Sequence, residues 1–102
     1  MSTLITIDLD ALTANYRYCR ERLAPAACAA VVKADAYGLG IGRIAKALHS
    51  AGCRQFFTAT HREGVVLREL LAEAEIFVFE GVNDQSAALI SEHSLVPVLI
   101  EP

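Results

Sequence analysis

From residue 28 onward, short apolar runs alternate with stretches of helical periodicity, and no linker, low-complexity tract or break in composition divides them. The runs at residues 28–32, 56–59, 76–79 and 95–100 have the length and apolar character of strands. The segments between them repeat apolar residues at spacings of three and four. Strands that alternate with helices at this interval form a parallel sheet, because each helix carries the chain back to start the next strand in the same direction. The predicted class is α/β. Four strands and three intervening helices are half of a closed eight-stranded (β/α) barrel, which takes about 250 residues. An open doubly wound sheet also fits, and differs in placing helices on both faces.

Each helix carries its own start or stop signal. Leu12, Tyr16, Cys19 and Leu23 share one face of a first helix that Asp8 or Asp10 can cap, and Pro25 marks it as finished. Ile41, Ile44, Ala45 and Leu48 form the stripe of the second, with Gly52 as a left-handed stop. Thr60 and Glu63 form a capping box ahead of Leu67, Leu70 and Leu71. Asn83 or Asp84 caps a fourth helix carrying Ala87, Ala88 and Ile90. Residues 4–9 alternate apolar and polar at first, as in a short edge strand, and 28–32 reads as a strand covered on both faces. Pro97 weakens the last strand, since proline cannot donate to a central ladder.

The balance of charge narrows the function. A net charge of −3 with a pI near 5.5 provides no broad cationic surface for phosphates, which argues against nucleic acid. No run approaches a transmembrane length and no basic flank precedes an apolar N-terminus, so the chain reads as cytoplasmic. The 54% hydrophobic content fills the core of one domain, residues 1–102. Cys19, Cys28 and Cys53 are odd in number with no C-x-x-C pair, and read as buried small hydrophobes. His49, His61 and His93 have no i, i+4 partner, so surface positions are expected and no metal site.

The chemistry gathers in AVVKADAYGLG, residues 30–40. An apolar strand delivers Lys33 to its carboxyl end, where loops of parallel α/β folds meet their ligands. An ordinary lysine titrates near about 10.4 and becomes a nucleophile or base only when an apolar wall or a nearby cation lowers that value. Residues 29–32 offer such a wall, and the amine can then form a Schiff base with pyridoxal phosphate and act as a base beside the substrate α-carbon. A solvated lysine capping a strand is the commoner outcome of such a placement. Tyr37, in a loop bounded by glycine, can reach a phosphate or a carboxylate near Lys33, or pack on the helix below. GLGIG departs from the dinucleotide-binding G-x-G-x-x-G spacing by one residue. Asp35 can orient the loop, and Glu80 stands at a strand's carboxyl end with no partner evident in the sequence.

AVVKADAYGLG closely resembles the cofactor-attachment motif of bacterial alanine racemases. LITIDLDALTANYR, FFTATHREGVVLREL and IFVFEG are similar to that family's first, third and fourth segments, in the family's order, so the likeness runs through nearly the whole chain. The resemblance implies a pyridoxal 5'-phosphate-dependent (β/α) barrel of the TIM type, of which this chain is the N-terminal half. It implies an isomerase interconverting L-alanine and D-alanine for peptidoglycan, with Lys33 attached to the cofactor and acting as base on the D-alanine side. Tyr37 then hydrogen-bonds the cofactor phosphate. Family members often carry histidine where this chain has Leu39, and acidic residues where it has His61 and Arg62. They continue into a β-rich second domain that supplies an opposing tyrosine across a homodimer interface. The 102-residue chain is therefore expected to be inactive alone and to self-associate, since inner-face side chains near Phe56 and Phe79 lack partner strands. A shorter single-domain pyridoxal-phosphate-binding protein and an inactive truncated product are the alternatives.

Overall fold

The computed structural model describes residues 9–32 and 39–99, in the order α1 (Leu9–Leu23), β1 (Ala30–Val31), α2 (Leu39–Ser50), β2 (Gln55–Thr58), α3 (His61–Leu70), β3 (Glu75–Val78), α4 (Asp84–Glu92) and β4 (Val96–Pro97). The expected strand at 4–9 lies outside the described residues except for Leu9, which begins α1. The four strands form one parallel sheet in the order β1-β2-β3-β4. That order has no reversal, so each crossover advances one strand in the same sense, which is the winding of a barrel and not of a doubly wound sheet. No helix among the described residues is long and apolar enough to cross a membrane.

The core is the layer between the sheet and its helices. Phe56, Thr58, Ile76 and Val78 point from β2 and β3 toward Ile41 and Ala45 of α2 and Leu67 of α3, and all are essentially inaccessible to solvent. The α3 helix approaches closely because residue 64 is glycine. A Cβ there would stand 3.1 Å from both Leu95 Cδ1 and Val78 Cγ2. The Thr60–Glu63 capping box forms as expected: Glu63 N–H donates to Thr60 Oγ1 at 3.2 Å and Thr60 N–H donates to Glu63 Oε1 at 2.9 Å. Asn83 is the N-cap of α4, closing a second box with Ser86. Gly52 has φ +113°, a conformation that disfavours side chains, so the expected stop after α2 is present. In β4, Val98 N–H donates to Val78 O at 2.8 Å, and by alternation the missing N–H of Pro97 falls on the side away from β3. The proline therefore costs the ladder nothing.

Several expectations are corrected by the one-sided arrangement. β1 is not covered on both faces: Val32 is buried, but Val31 is 65% exposed because the helices lie only on the other side. Cys19 and Leu23 are exposed and Cys28 is only half-buried; α1 joins the core through Leu12 and Tyr16. Leu70 is exposed while Leu67 and Leu71 are buried. Ala87 and Ala88 face solvent, and α4 instead buries Ser86 and Ile90, an i, i+4 pair whose first member is fixed by the Asn83 cap.

Only Cys53 behaves as the buried thiol expected of the three cysteines. Its Sγ donates to Gln55 O at 3.3 Å. Burial pushes the Cys53 thiol above its ordinary 9.0, and burial, with the Cys53 charge as a smaller contribution, pushes the Tyr16 phenol above 10.0. Both folded values are raised, so the stabilisation is complete below 9.0 and is lost as pH rises, because the unfolded chain then releases protons that the folded chain retains. Urea midpoints measured from pH 7 to 11 are expected to fall first near 9.0. In Cys53→Val the fall should begin nearer 10.0, and an unchanged onset would refute the assignment.

Candidate functional site at the carboxyl ends of the strands

Parallel strands end together, so the residues just beyond Val31, Thr58 and Val78 share one edge of the sheet. Val32 N–H donates to Phe57 O at 2.8 Å and Phe79 N–H donates to Thr58 O at 3.0 Å, which carries the pairing one residue past each ladder. Lys33, Asp35 and Tyr37 lie outside the described residues, in the segment that joins β1 to α2. What the structure supplies is the surface of the sheet at that edge.

The register aligns Val31, Phe57, Phe77 and Val96 in one row on the face opposite the helices. Phe57 and Phe77 stack with ring centroids 4.6 Å apart, and Phe79, one row nearer the carboxyl edge, stacks on Phe57 at 5.4 Å. Val31, Phe79 and Val96 are 65%, 40% and 42% exposed, so this is an apolar, largely aromatic surface open to a flat partner. Of the two phenylalanines expected on it, Phe79 is there. Phe56 is not, because it faces the helices and Phe57 takes its place. A run of two phenylalanines leaves the inward and outward members undecided until the register is known.

The histidines do not converge. His93 Nδ1 donates to Leu89 O at 3.0 Å on its own helix, and His49 is half-buried at the end of α2. Among the described residues no group of three His, Cys, Asp or Glu side chains is placed to hold a metal ion. His61 contradicts the surface position expected of it: it is 7% exposed, with Nε2 2.9 Å from Gly81 O. Glu80, with no partner evident in the sequence, accepts a hydrogen bond from His61 N–H at 2.8 Å. Both line a cavity of about 620 Å³ beyond the ends of β2 and β3, with Thr60, Arg62, Asn83 and Ser86. Nothing in the spacing of residues 61 and 80 could have shown this contact, because it depends on the parallel register of β2 and β3.

The chain's likeness to known proteins is extensive. The sequence profile of the family described as "Alanine racemase, N-terminal domain" matches residues 7–102. An alanine racemase of a Jannaschia species is 52% identical over 96% of this chain and 29% of its own length. A catabolic alanine racemase of Rhizobium johnstonii is 50% identical over 93% of this chain and 26% of its own. Among solved structures, the alanine racemase of Bartonella henselae, with covalently bound pyridoxal phosphate, superimposes with a TM-score of 0.79 at 40% identity, over 89% of this chain and 26% of that one. The alanine racemase of Corynebacterium glutamicum gives 0.76 at 30% identity. The chain spans about a quarter of the length of the curated relatives it matches.

Proposed function

The chain belongs to the alanine racemase N-terminal domain family, and on that premise we propose that it forms the pyridoxal-phosphate-bearing part of an enzyme that interconverts L-alanine and D-alanine. The observation that carries the proposal is the end of β1. The pairing of a strand held in a parallel sheet is followed to Val32, next to an open aromatic row, and the next residue in the sequence is Lys33. Residues 1–102 are read as the first part of the barrel domain, with the remaining barrel and a β-rich domain in the rest of the polypeptide. A homodimer, a cytoplasmic location and a supply of D-alanine to peptidoglycan belong to the same reading.

The residues present suit the cofactor. Val31, Phe57 and Phe79 offer a flat apolar wall to a pyridine ring. Bound pyridoxal phosphate supplies an electron sink that acidifies the α-C–H of the amino acid joined to it. Lys33 would hold the cofactor, and its free amine would take or return the substrate α-proton at Nζ. That role requires the neutral amine, which an apolar wall favours. Tyr37 holds the phosphate through its hydroxyl. Inversion also needs a second proton donor on the opposite face of the planar carbon, and the rest of the polypeptide supplies it. The test is conversion of D-alanine to L-alanine by the purified full-length polypeptide with added pyridoxal phosphate; absence of turnover would overturn the reading.

For Tyr37→Phe we expect weaker cofactor retention with an unaltered proton-transfer step. A hydrogen bond to a charged phosphate is worth about 1.5–3 kcal/mol, or roughly one to two decades of affinity. Cofactor titration set beside the α-deuterium isotope effect checks this. Unchanged affinity would assign Tyr37 to packing.

A further inference from the structure

Glu80 and His61 tie together the carboxyl ends of two neighbouring strands. Within α3, the capping box satisfies the N–H of Glu63, and Thr60 O accepts from Gly64 N–H at 3.1 Å. The His61 N–H at the helix start is left over, and Glu80 Oε2 reaches across from the end of β3 to accept it. The contact is returned by the imidazole. A carbonyl only accepts, so His61 Nε2 carries the proton in the 2.9 Å bond to Gly81 O, and in the neutral ring Nδ1 holds the lone pair. That nitrogen is buried and has no partner among the described residues, while Glu80 Oε2 stands 3.8 Å from Nε2, too far for a second hydrogen bond. The ring is thus buried for the sake of one directed bond to the chain just after Phe79. The ladder itself ends at Phe79 N–H, and the Asn83 cap begins two residues beyond Gly81.

We propose that Glu80 and His61 are positioning residues that hold residues 79–81, and with them the ring of Phe79, against the face that receives the cofactor. This rests on the proposed racemase function. The pair acts through Phe79, whose ring is located by its stack on Phe57 and by the backbone on either side of it. Loss of the tie frees the backbone after Phe79 and loosens the wall behind the cofactor ring. At saturating cofactor, the expected result is a smaller kcat with the KM for alanine retained.

The test uses the full-length polypeptide loaded with pyridoxal phosphate. His61→Leu keeps the burial but loses the donor, and Glu80→Ala loses the acceptor. In both we expect a fall in kcat of roughly three- to tenfold, a KM for alanine within about twofold, and an altered visible circular dichroism of the bound cofactor. His61→Gln retains an N–H for Gly81 O, and Glu80→Gln retains an oxygen for His61 N–H, so both should recover the wild-type dichroism and most of kcat. Amide exchange at residues 79–82 should quicken about tenfold in His61→Leu and not in His61→Gln. That readout needs no activity, so it separates failure of this inference from failure of the racemase reading, which the wild-type assay tests alone. Unchanged exchange and dichroism in the Leu and Ala variants would overturn the proposal. Equal loss in the Gln variants would do the same, as would Leu and Ala variants that cannot fold, since these would assign the pair to stability.

Discussion

Replacing Lys33 with methionine in the full-length polypeptide should lower alanine racemisation by about three orders of magnitude or more. Two contributions disappear together. On the proposed reading, the variant loses both the covalent attachment of the cofactor and the amine that exchanges the α-proton on that face. General base catalysis by a positioned side chain is alone worth roughly 10²–10⁴-fold. Methionine preserves the length and apolar stem of the lysine without its amine, so the fold should be retained and the loss should appear in kcat. Lys46, exposed in the middle of α2, is the internal control, and Lys46→Met should leave turnover within about twofold. Comparable losses in the two variants would mean that Lys33 has no special role.

The largest effect on stability should come from Arg68. Its guanidinium donates to five backbone carbonyls: Nε to His93 O at 2.8 Å, Nη1 to Leu71, Ala72 and Ala74 O at 3.1, 3.0 and 2.7 Å, and Nη2 to Ser94 O at 3.0 Å. These carbonyls cluster around the C-terminal ends of α3 and α4, where helix dipoles favour a cation. One planar fork therefore joins two helix ends and the turn that enters β3. Removing it leaves partly buried acceptors unpaired, and hydrogen bonds to a charged donor are worth about 1.5–3 kcal/mol each without being additive. Arg68→Ala should cost roughly 2–4 kcal/mol, a fall in Tm of at least about 8 °C. Arg68→Lys should recover less than half, because an ammonium cannot reach carbonyls on both sides at once. Thermal unfolding of the three proteins decides it, and a Tm within 2–3 °C of wild type for Arg68→Ala would show that water replaces the fork without loss.

What could be read from the sequence follows from what is local. Thr60–Glu63 and Gly52 act within a few residues of themselves, and the structure has the box and the positive φ where the pattern predicts them. The parallel α/β class follows from alternating periods, and the unreversed strand order separates a barrel winding from an open sheet. Where the reading fell short, the missing information is long-range. Cys19 falls on the same stripe as Tyr16 in the sequence, but α1 meets the core through Leu12 and Tyr16 and leaves Cys19 exposed. Phe56 and Phe57 exchange faces with a register shift of one. His61 reads as a surface residue, and nothing in the sequence singles out Arg68, because their partners are backbone carbonyls, and a carbonyl has no residue type to betray it. Lys33 and Tyr37 stand out through motif wording, and the structure adds the aromatic row on the open face of the sheet.

The most direct test of the central claim is chemical. The segment contains two lysines, Lys33 and Lys46. Borohydride reduction of the full-length polypeptide with pyridoxal phosphate, followed by peptide mapping, should place the phosphopyridoxyl group on Lys33 alone. A label on Lys46, or none within this segment, would contradict it.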